Sequence, residues 1–188
     1  TQFRPGSWVP TTSVLIQETF PTGRYDRLGN RPSDGFGAGA YTTTLALYSQ
    51  TYFWMPTGRI LRARLDIQQS VFSTRVPIAD ASVYGTPMGF RGDAVPGPST
   101  FVDVAGEYSL TRPWVLSLDA NYGWNGDTRA AGSGIIRHTG SSAAVGFTPA
   151  IEYNWSAAVG VIVGARVIEI ARNTAHTVTP VVALNVVH

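Results

Sequence analysis

Residues 114–125 read Trp114-Val115-Leu116-Ser117-Leu118-Asp119-Ala120-Asn121-Tyr122-Gly123-Trp124-Asn125. Trp114, Leu116, Leu118, Ala120, Tyr122 and Trp124 fall on one side of a two-residue period. Ser117, Asp119, Asn121, Gly123 and Asn125 fall on the other. Successive side chains of a strand point to opposite faces, so this segment is a strand with one apolar and one polar face. Its length matches the roughly 9–11 residues that cross a bilayer at a tilt.

The same scheme repeats outward from it. In Ser142–Trp155, Ala143, Val145, Phe147, Pro149, Ile151, Tyr153 and Trp155 share a face. Leu61–Val71 sets Arg62, Arg64, Asp66, Gln68 and Ser70 against Leu61, Ala63, Leu65, Ile67 and Val71. Thr100–Leu110 sets Asp103 and Glu107 against Val102, Val104 and Tyr108. Weaker alternation runs through Thr11–Phe20, Tyr41–Trp54, Ala157–Arg172 and Thr177–His188, so eight strands are expected. No segment carries a helical period, and 20 glycines with 12 prolines would interrupt most candidates.

The links between these segments alternate in length. Met55–Gly58, Thr111–Pro113 and Trp155–Ala157 are tight turns, whereas Pro21–Gly39, Ser73–Pro98 and Gly126–Thr139 are long and polar. The last link, Asn173–His176, breaks the rule by being short. Outer-membrane barrels have short periplasmic turns and longer external loops; a soluble sandwich has no reason to.

Charged residues make up only 14% of the chain, against roughly 25% in a soluble domain. No run approaches the ~18 apolar residues of a membrane-spanning helix. Hydrophobicity is spread thinly, as barrels carry it. The net charge is +2, all fourteen basic residues are arginine, and they form no run, so a nucleic-acid partner is not expected. With no cysteine, disulfides and thiolate chemistry are excluded. The sequence opens at Thr1 rather than at a methionine, and its first residues are not a basic, apolar leader.

Aromatic placement adds a second signal. Trp54, Trp114 and Trp155 fall at short-turn ends with Tyr153, and Tyr122 and Trp124 fall near a long-link end. Amphipathic rings collect at the headgroup level, so these six are expected as membrane-interface girdles; anchors of a sandwich core are the alternative. Residues 1–188 are thus expected to form one domain, an all-β, antiparallel up-and-down transmembrane β-barrel in a Gram-negative outer membrane. Both termini would face the periplasm, with room for further strands before Thr1. Val178, Pro180, Val182, Leu184 and Val186 alternate towards the end like a closing strand, although barrels of this type usually finish in Phe or Trp and this sequence finishes in His188.

Two motifs carry a resemblance. Phe20-Pro21-Thr22-Gly23 followed by Tyr25, and Glu107-Tyr108-Ser109-Leu110-Thr111-Arg112-Pro113-Trp114 running into Val115-Leu116-Ser117-Leu118, are similar to the outer-membrane proteins of the MetA-pathway of phenol degradation family, often called transporter-like. The resemblance extends from about Val14 onward. It implies the C-terminal portion of a barrel of about twelve strands, wide enough for a narrow channel where eight strands leave room only for side chains. It also implies uptake of small aromatic or hydrophobic molecules, with no catalytic residues and no cofactor.

Arginine on the lipid side costs roughly 2–4 kcal/mol at mid-membrane. Arg62, Arg64, Asp66, Asp103, Glu107, Asp119, Glu152, Arg166 and Arg172 are therefore expected to line the lumen. They would act either as compensating pairs that fill it or as a constriction that selects permeants. Glu169 would point at lipid under strict alternation unless a bulge or the headgroup level takes it up. The expected partners are outer-membrane lipid, the barrel-assembly machinery during biogenesis, and an unidentified small-molecule permeant.

Two other roles stay open. A closed structural or adhesive barrel would bind a partner through its external loops, and Ser73–Pro98 could instead fold inward as a plug. A lipid-modifying barrel enzyme would need a histidine beside a serine or carboxylate. His138 has Ser133, Ser141 and Asp127 nearby in sequence, whereas His176 has no carboxylate beside it. Solvated loop histidines are the expectation, with no catalytic and no metal site. Asn125-Gly126-Asp127 reads as a loop-entry turn.

Overall fold

A computed structural model describes residues 9–186. The strands are β1 (Thr11–Thr19), β2 (Thr42–Trp54), β3 (Ile60–Ser73), β4 (Val76–Ile78), β5 (Gly92–Val95), β6 (Ser99–Ser109), β7 (Trp114–Asn125), β8 (Arg129–Gly132), β9 (Ile135–His138), β10 (Ser142–Asn154), β11 (Val159–Arg172) and β12 (Thr177–Val186). The rest is turns and one 3₁₀ turn at Pro32–Asp34. No helix among the described residues is long and apolar enough to cross a membrane.

The eight long strands form one antiparallel sheet in the order β1-β2-β3-β6-β7-β10-β11-β12. Each strand pairs with the next long strand in the chain, the up-and-down order expected from the alternating links. The expected segment Trp114–Asn125 is β7 itself, and the others agree within a residue or two at the described ends. The last two residues of the expected segment Thr177–His188 lie outside the described residues. Among the described residues no closed barrel is found: β1 and β12 each pair on one side only, leaving two open edges.

The long links are not featureless loops. β4-β5 and β8-β9 pair into a second antiparallel sheet in the order β4-β5-β8-β9. β4-β5 interrupts the β3–β6 link and β8-β9 the β7–β10 link, so the small sheet repeats the order β3-β6-β7-β10. The four central strands thus continue past a break into a cap. Pro96-Gly97-Pro98 makes part of that break, because proline cannot donate to a ladder. The Gly126 amide donates to the Pro98 carbonyl (2.7 Å) and the Gly97 amide to Thr128 Oγ1 (3.0 Å), stitching the two hairpins together there.

The conventional hydrophobic core lies in this cap. Ile78, Tyr84, Phe90, Ala94 and Ala130 cluster together, with Tyr25 packed against them; Val76 and Phe90 are fully buried. The β1–β2 link lies along the β4–β5 link: Leu28 N–H donates to Ala81 O (2.9 Å) and Val83 N–H to Tyr25 O (3.0 Å). Asp26 accepts from the amides of Ala79 (3.0 Å) and Asp80 (3.1 Å). Gly39 has φ +66°, and a Cβ there would sit 2.2 Å from the Tyr25 ring, so glycine is needed both for the backbone and for the ring's place. The Ser73–Pro98 segment, expected as a free loop or a plug, is thus paired to β8 and to the β1–β2 link.

Candidate functional site

The two faces of the large sheet carry opposite chemistry. Register aligns Phe53, Leu61, Tyr108, Leu116, Ile151, Val163 and Val182 in one row across seven strands. A second row runs Val14, Leu47, Ile67, Val102, Tyr122, Val145, Ile170. Directly opposite residues share a face, so these rows form one continuous apolar surface. It is uncovered: Leu118 is 54% and Val104 55% exposed.

The other face holds most of the sheet's charges, more covered than those leucines and valines, whereas Glu18 and Arg172 lie on the apolar side near the long links. Glu107 and Asp119 side chains are only 21% and 27% exposed. A water-soluble protein buries its apolar side chains and solvates its carboxylates. Here the order is reversed.

The charges sit in adjacent rows at mid-height. Arg62 lies opposite Glu107, and Asp66 opposite Asp103. Arg62 Nη1 reaches Glu107 Oε2 at 3.1 Å, while Arg64 Nη2 meets Glu107 Oε1 at 3.0 Å and Asp119 Oδ1 at 3.9 Å. Arg62 also donates to Gln50 Oε1 (2.6 and 3.1 Å) and stands over the Tyr52 ring. Ser117 donates to Asp119 (3.1 Å). Asp66 and Asp103 are like charges directly opposite, which destabilises a strand pair, so nearby Arg64 and Arg166 matter.

Arg166 Nη2 donates to Asn121 Oδ1 (3.2 Å). Gly146 lies opposite Asn121, and a Cβ there would stand 2.9 Å from that Oδ1. Glycine keeps the contact open. Arg62, Arg64, Asp66, Asp103, Glu107, Asp119 and Arg166 therefore form one polar belt. Glu152 shares their face but is opposite Val115 and Ile162, nearer the short turns.

Arg172 does not join them. β11 carries an extra residue where Val145 pairs with Ile170 and Gly146 with Ile168, leaving Glu169 without a register partner. One inserted residue reverses the facing of everything beyond it. Arg172 consequently lies opposite Ala143, on the face of Trp124, and donates to Ser141 Oγ (3.2 Å). The bulge takes Glu169 out of the alternation that would have aimed it with the valines.

Among the aromatics, Trp114, Tyr153 and Trp155 form a contiguous cluster at the short-turn end. Ring centroids are 4.7 Å apart for Trp114–Tyr153 and 5.5 Å for Tyr153–Trp155. Tyr122 and Trp124 share the apolar face further along β7. Trp54 differs, because its register with Ile60 puts it on the face of Tyr52 and Arg62. Its end position was legible, but not its facing.

Two cavities open on the polar face. One, of about 410 Å³, is lined by Thr11, Ser13, Tyr48, Gln50, Arg62, Arg64, Asp66 and Asp103 among others. The second, of about 320 Å³, lies nearer the cap beside Gln68, Ser70, Ser99, Phe101, Asn125 and Arg166. Both are half open.

At the base of the cap, His138 Nδ1 is hydrogen-bonded to Asp127 Oδ2, and Asp127 Oδ1 accepts from the Gly140 amide (2.8 Å). The His138 contact, with the Gly140 amide, holds the Asp127 carboxyl below the usual carboxylate range. Sequence proximity offered Ser133, Ser141 and Asp127 alike, and the histidine expected in a loop is instead the last residue of β9. No hydroxyl of Ser133 or Ser141 contacts the imidazole: Ser133 bonds to the Arg91 backbone, and Ser141 Oγ to Arg172. Among the described residues no group of three His, Cys, Asp or Glu side chains could hold a metal. Within the cap, burial beside Tyr25 pushes the Tyr84 phenol up to about 12, and its hydroxyl donates to the Ala38 carbonyl.

Neither the family models nor the curated proteins compared with this chain match it. Phe20–Gly23 and Tyr25 lie in the β1–β2 link just past β1, and Glu107–Leu118 make the β6–β7 hairpin, where the Leu110 and Thr111 amides donate to the Trp114 carbonyl (2.9 and 3.2 Å).

Proposed function

We propose that this chain forms wall of a bacterial outer-membrane β-barrel that passes small solutes passively. The observation that carries the reading is the inverted sheet: uncovered aliphatic rows on one face, a partly covered ionic belt on the other. Hydrocarbon is the medium in which that arrangement is stable, because it welcomes the aliphatic rows and leaves the ionic belt to a water-filled interior. A tight aromatic cluster at the short-turn ends suits the headgroup level.

Such a wall needs both edges paired, since an unpaired backbone group in hydrocarbon costs several kcal/mol. The β1 and β12 edges would therefore be joined in the membrane, directly or through further strands. The belt favours polar solutes over the aromatic or hydrophobic permeants that the family resemblance implied. No step here requires a nucleophile or cofactor, and the role is read as non-enzymatic.

Single-channel recording in planar bilayers tests it. The folded full chain is expected to give discrete conductance steps that change with Arg64→Gln. A folded, inserted protein that stays silent would overturn the conduit. Silence would favour a second reading, which rests on the cap's own packed core: a structural or adhesive barrel that presents a rigid external platform. In that case deleting β8–β9 would abolish partner binding while the wall still folds.

A further inference from the structure

The small sheet of the cap has two edges, and they are finished differently. β4 carries Pro77, which has no amide to offer, and the Pro77 carbonyl accepts from the Tyr25 hydroxyl (3.1 Å) in the β1–β2 link. β9 pairs with β8 alone. The link on that side, Asn173–His176, is too short to add a strand. It is held level with Ser141, whose carbonyl accepts from the Asn173 side chain (2.7 Å).

Burial ends at β9 as well. Register puts Val76, Ala94, Ala130 and Arg137 in one row, and Ile78, Gly92, Gly132 and Ile135 in the next. Val76, Ile78, Ala94 and Ala130 are buried, whereas Arg137 is exposed and Ile135 is 38% exposed. Ile136, on the opposite face, is 58% exposed.

The ladder says which backbone groups face outward. Thr139 N–H donates to Thr128 O (3.1 Å), so these two form a hydrogen-bonded pair. Such pairs recur at every second residue of an antiparallel ladder, which makes Ala130–Arg137 and Gly132–Ile135 the next two. Gly132–Ile135 then closes on the two-residue turn Ser133-Gly134, both at positive φ as a type I′ hairpin requires. The N–H and C=O of Ile136 and His138 therefore point away from β8, and no strand among the described residues receives them.

The charge beside this edge is positive. Arg129 and Arg137 are exposed and take part in no ion pair among the described residues. The carboxylate of the same hairpin, Asp127, is held by His138 and the Gly140 amide. A second copy fits badly: two β9 strands paired antiparallel over their full length would set Arg137 directly opposite its own copy. Like charges there destabilise a strand pair.

We infer that β9 takes up an extended segment of a partner protein as an added antiparallel strand, with an aliphatic residue facing Ile136 and an acidic one facing Arg137. In that register the aliphatic residue exchanges both backbone hydrogen bonds with Ile136. The acidic residue takes the non-hydrogen-bonded position opposite Arg137, where side chains come closest. The site lies wholly in the cap and holds whether or not the wall conducts.

The test is fluorescence polarisation of a labelled hexapeptide that alternates valine and glutamate, titrated with the full chain in non-ionic detergent. It should bind about tenfold more tightly than the valine–lysine peptide, the difference between an opposite and a like charge facing Arg137. Arg137→Gln should erase that preference. N-methylating the valines removes the amides that face β9 and should abolish binding. N-methylating the glutamates, whose amides point away, should leave it. Ile136→Pro deletes one outward amide without touching the β8 ladder and should weaken binding about tenfold, whereas Ile136→Ala keeps the amide and most of the affinity. The N-methylated peptides probe the same contact on unaltered protein, so they decide the matter if a variant misfolds. No binding of the valine–glutamate peptide, equal binding of its two N-methylated forms, or equal binding of the glutamate and lysine peptides would overturn the site. So would self-association of the chain that Ile136→Pro abolishes, which would assign the edge to a second copy.

Discussion

Phe90→Ala tests whether the cap is a separately packed unit. Phe90 is 1% exposed and is the largest fully buried side chain described, within a cluster completed by Ile78, Tyr84, Ala94 and Ala130. Removing a buried phenylalanine ring costs about 3–5 kcal/mol. In so small a cluster little can collapse into the gap, so the upper part of that range applies. If the cap opens independently, its open population should rise by roughly three to three and a half powers of ten. Trypsin reads this directly, because Arg75, Arg91 and Arg129 lie in or beside the cap strands, and Arg91 is pinned through Ser133. Cleavage at these arginines should accelerate in Phe90→Ala, while Arg62, Arg64 and Arg166 in the large sheet stay resistant. Wild-type resistance in the variant would refute the cap core. Simultaneous cleavage throughout the large sheet would refute its independence.

Three further outcomes are expected. Leu118→Arg should destabilise the membrane-inserted protein by roughly 2–4 kcal/mol, with Ser117→Arg on the other face costing far less, as measured by urea unfolding from lipid vesicles. The Asp127–His138 clamp contributes stability above the ordinary carboxylate value of about 3.9 and loses it as pH falls below that, through the lowered Asp127 value; faster hydrogen exchange at the Gly140 amide, absent in Asp127→Asn, would register it. Tyr84→Phe removes the donor to Ala38 O and should cost about 0.5–1.5 kcal/mol of cap stability, and the wild-type phenol should titrate near 12 by ultraviolet absorbance.

The long strands were legible because each repeats its two-residue period many times between firm stops. Trp114–Asn125 carries six apolar positions in phase, and no helical reading can absorb them. Alternation, with the cost of charge on the lipid side, assigned Arg62, Arg64, Glu107 and Asp119 to one face before their contacts were known. The failures have local causes. β4, β5, β8 and β9 hold three or four residues each, too few for any period to emerge among the prolines and glycines around them. Their pairing depends on neighbouring hairpins rather than on their own pattern.

Arg172 was misassigned because the bulge at Glu169 reverses parity three residues earlier, and a single sequence shows an awkward glutamate without saying which way it is resolved. Trp54 was placed by its nearness to a turn, a criterion that fixes height in the sheet but not facing. Alternation puts Arg64 and Asp66 on the polar face, but their partners there depend on Glu107, Asp119 and Gln68, which only the fold brings beside them.

The large sheet's medium is best measured by nitroxide scanning of β7, for which the absence of cysteine makes single-cysteine variants clean. Labels at Leu116, Leu118 and Ala120, and at Ser117, Asp119 and Asn121, would be read for relaxation by oxygen and by a water-soluble nickel chelate in lipid vesicles. Oxygen-dominated relaxation at the first three and chelate-dominated relaxation at the second three is the result expected of a lipid-facing aliphatic surface. Chelate access at Leu116, Leu118 and Ala120 would contradict it.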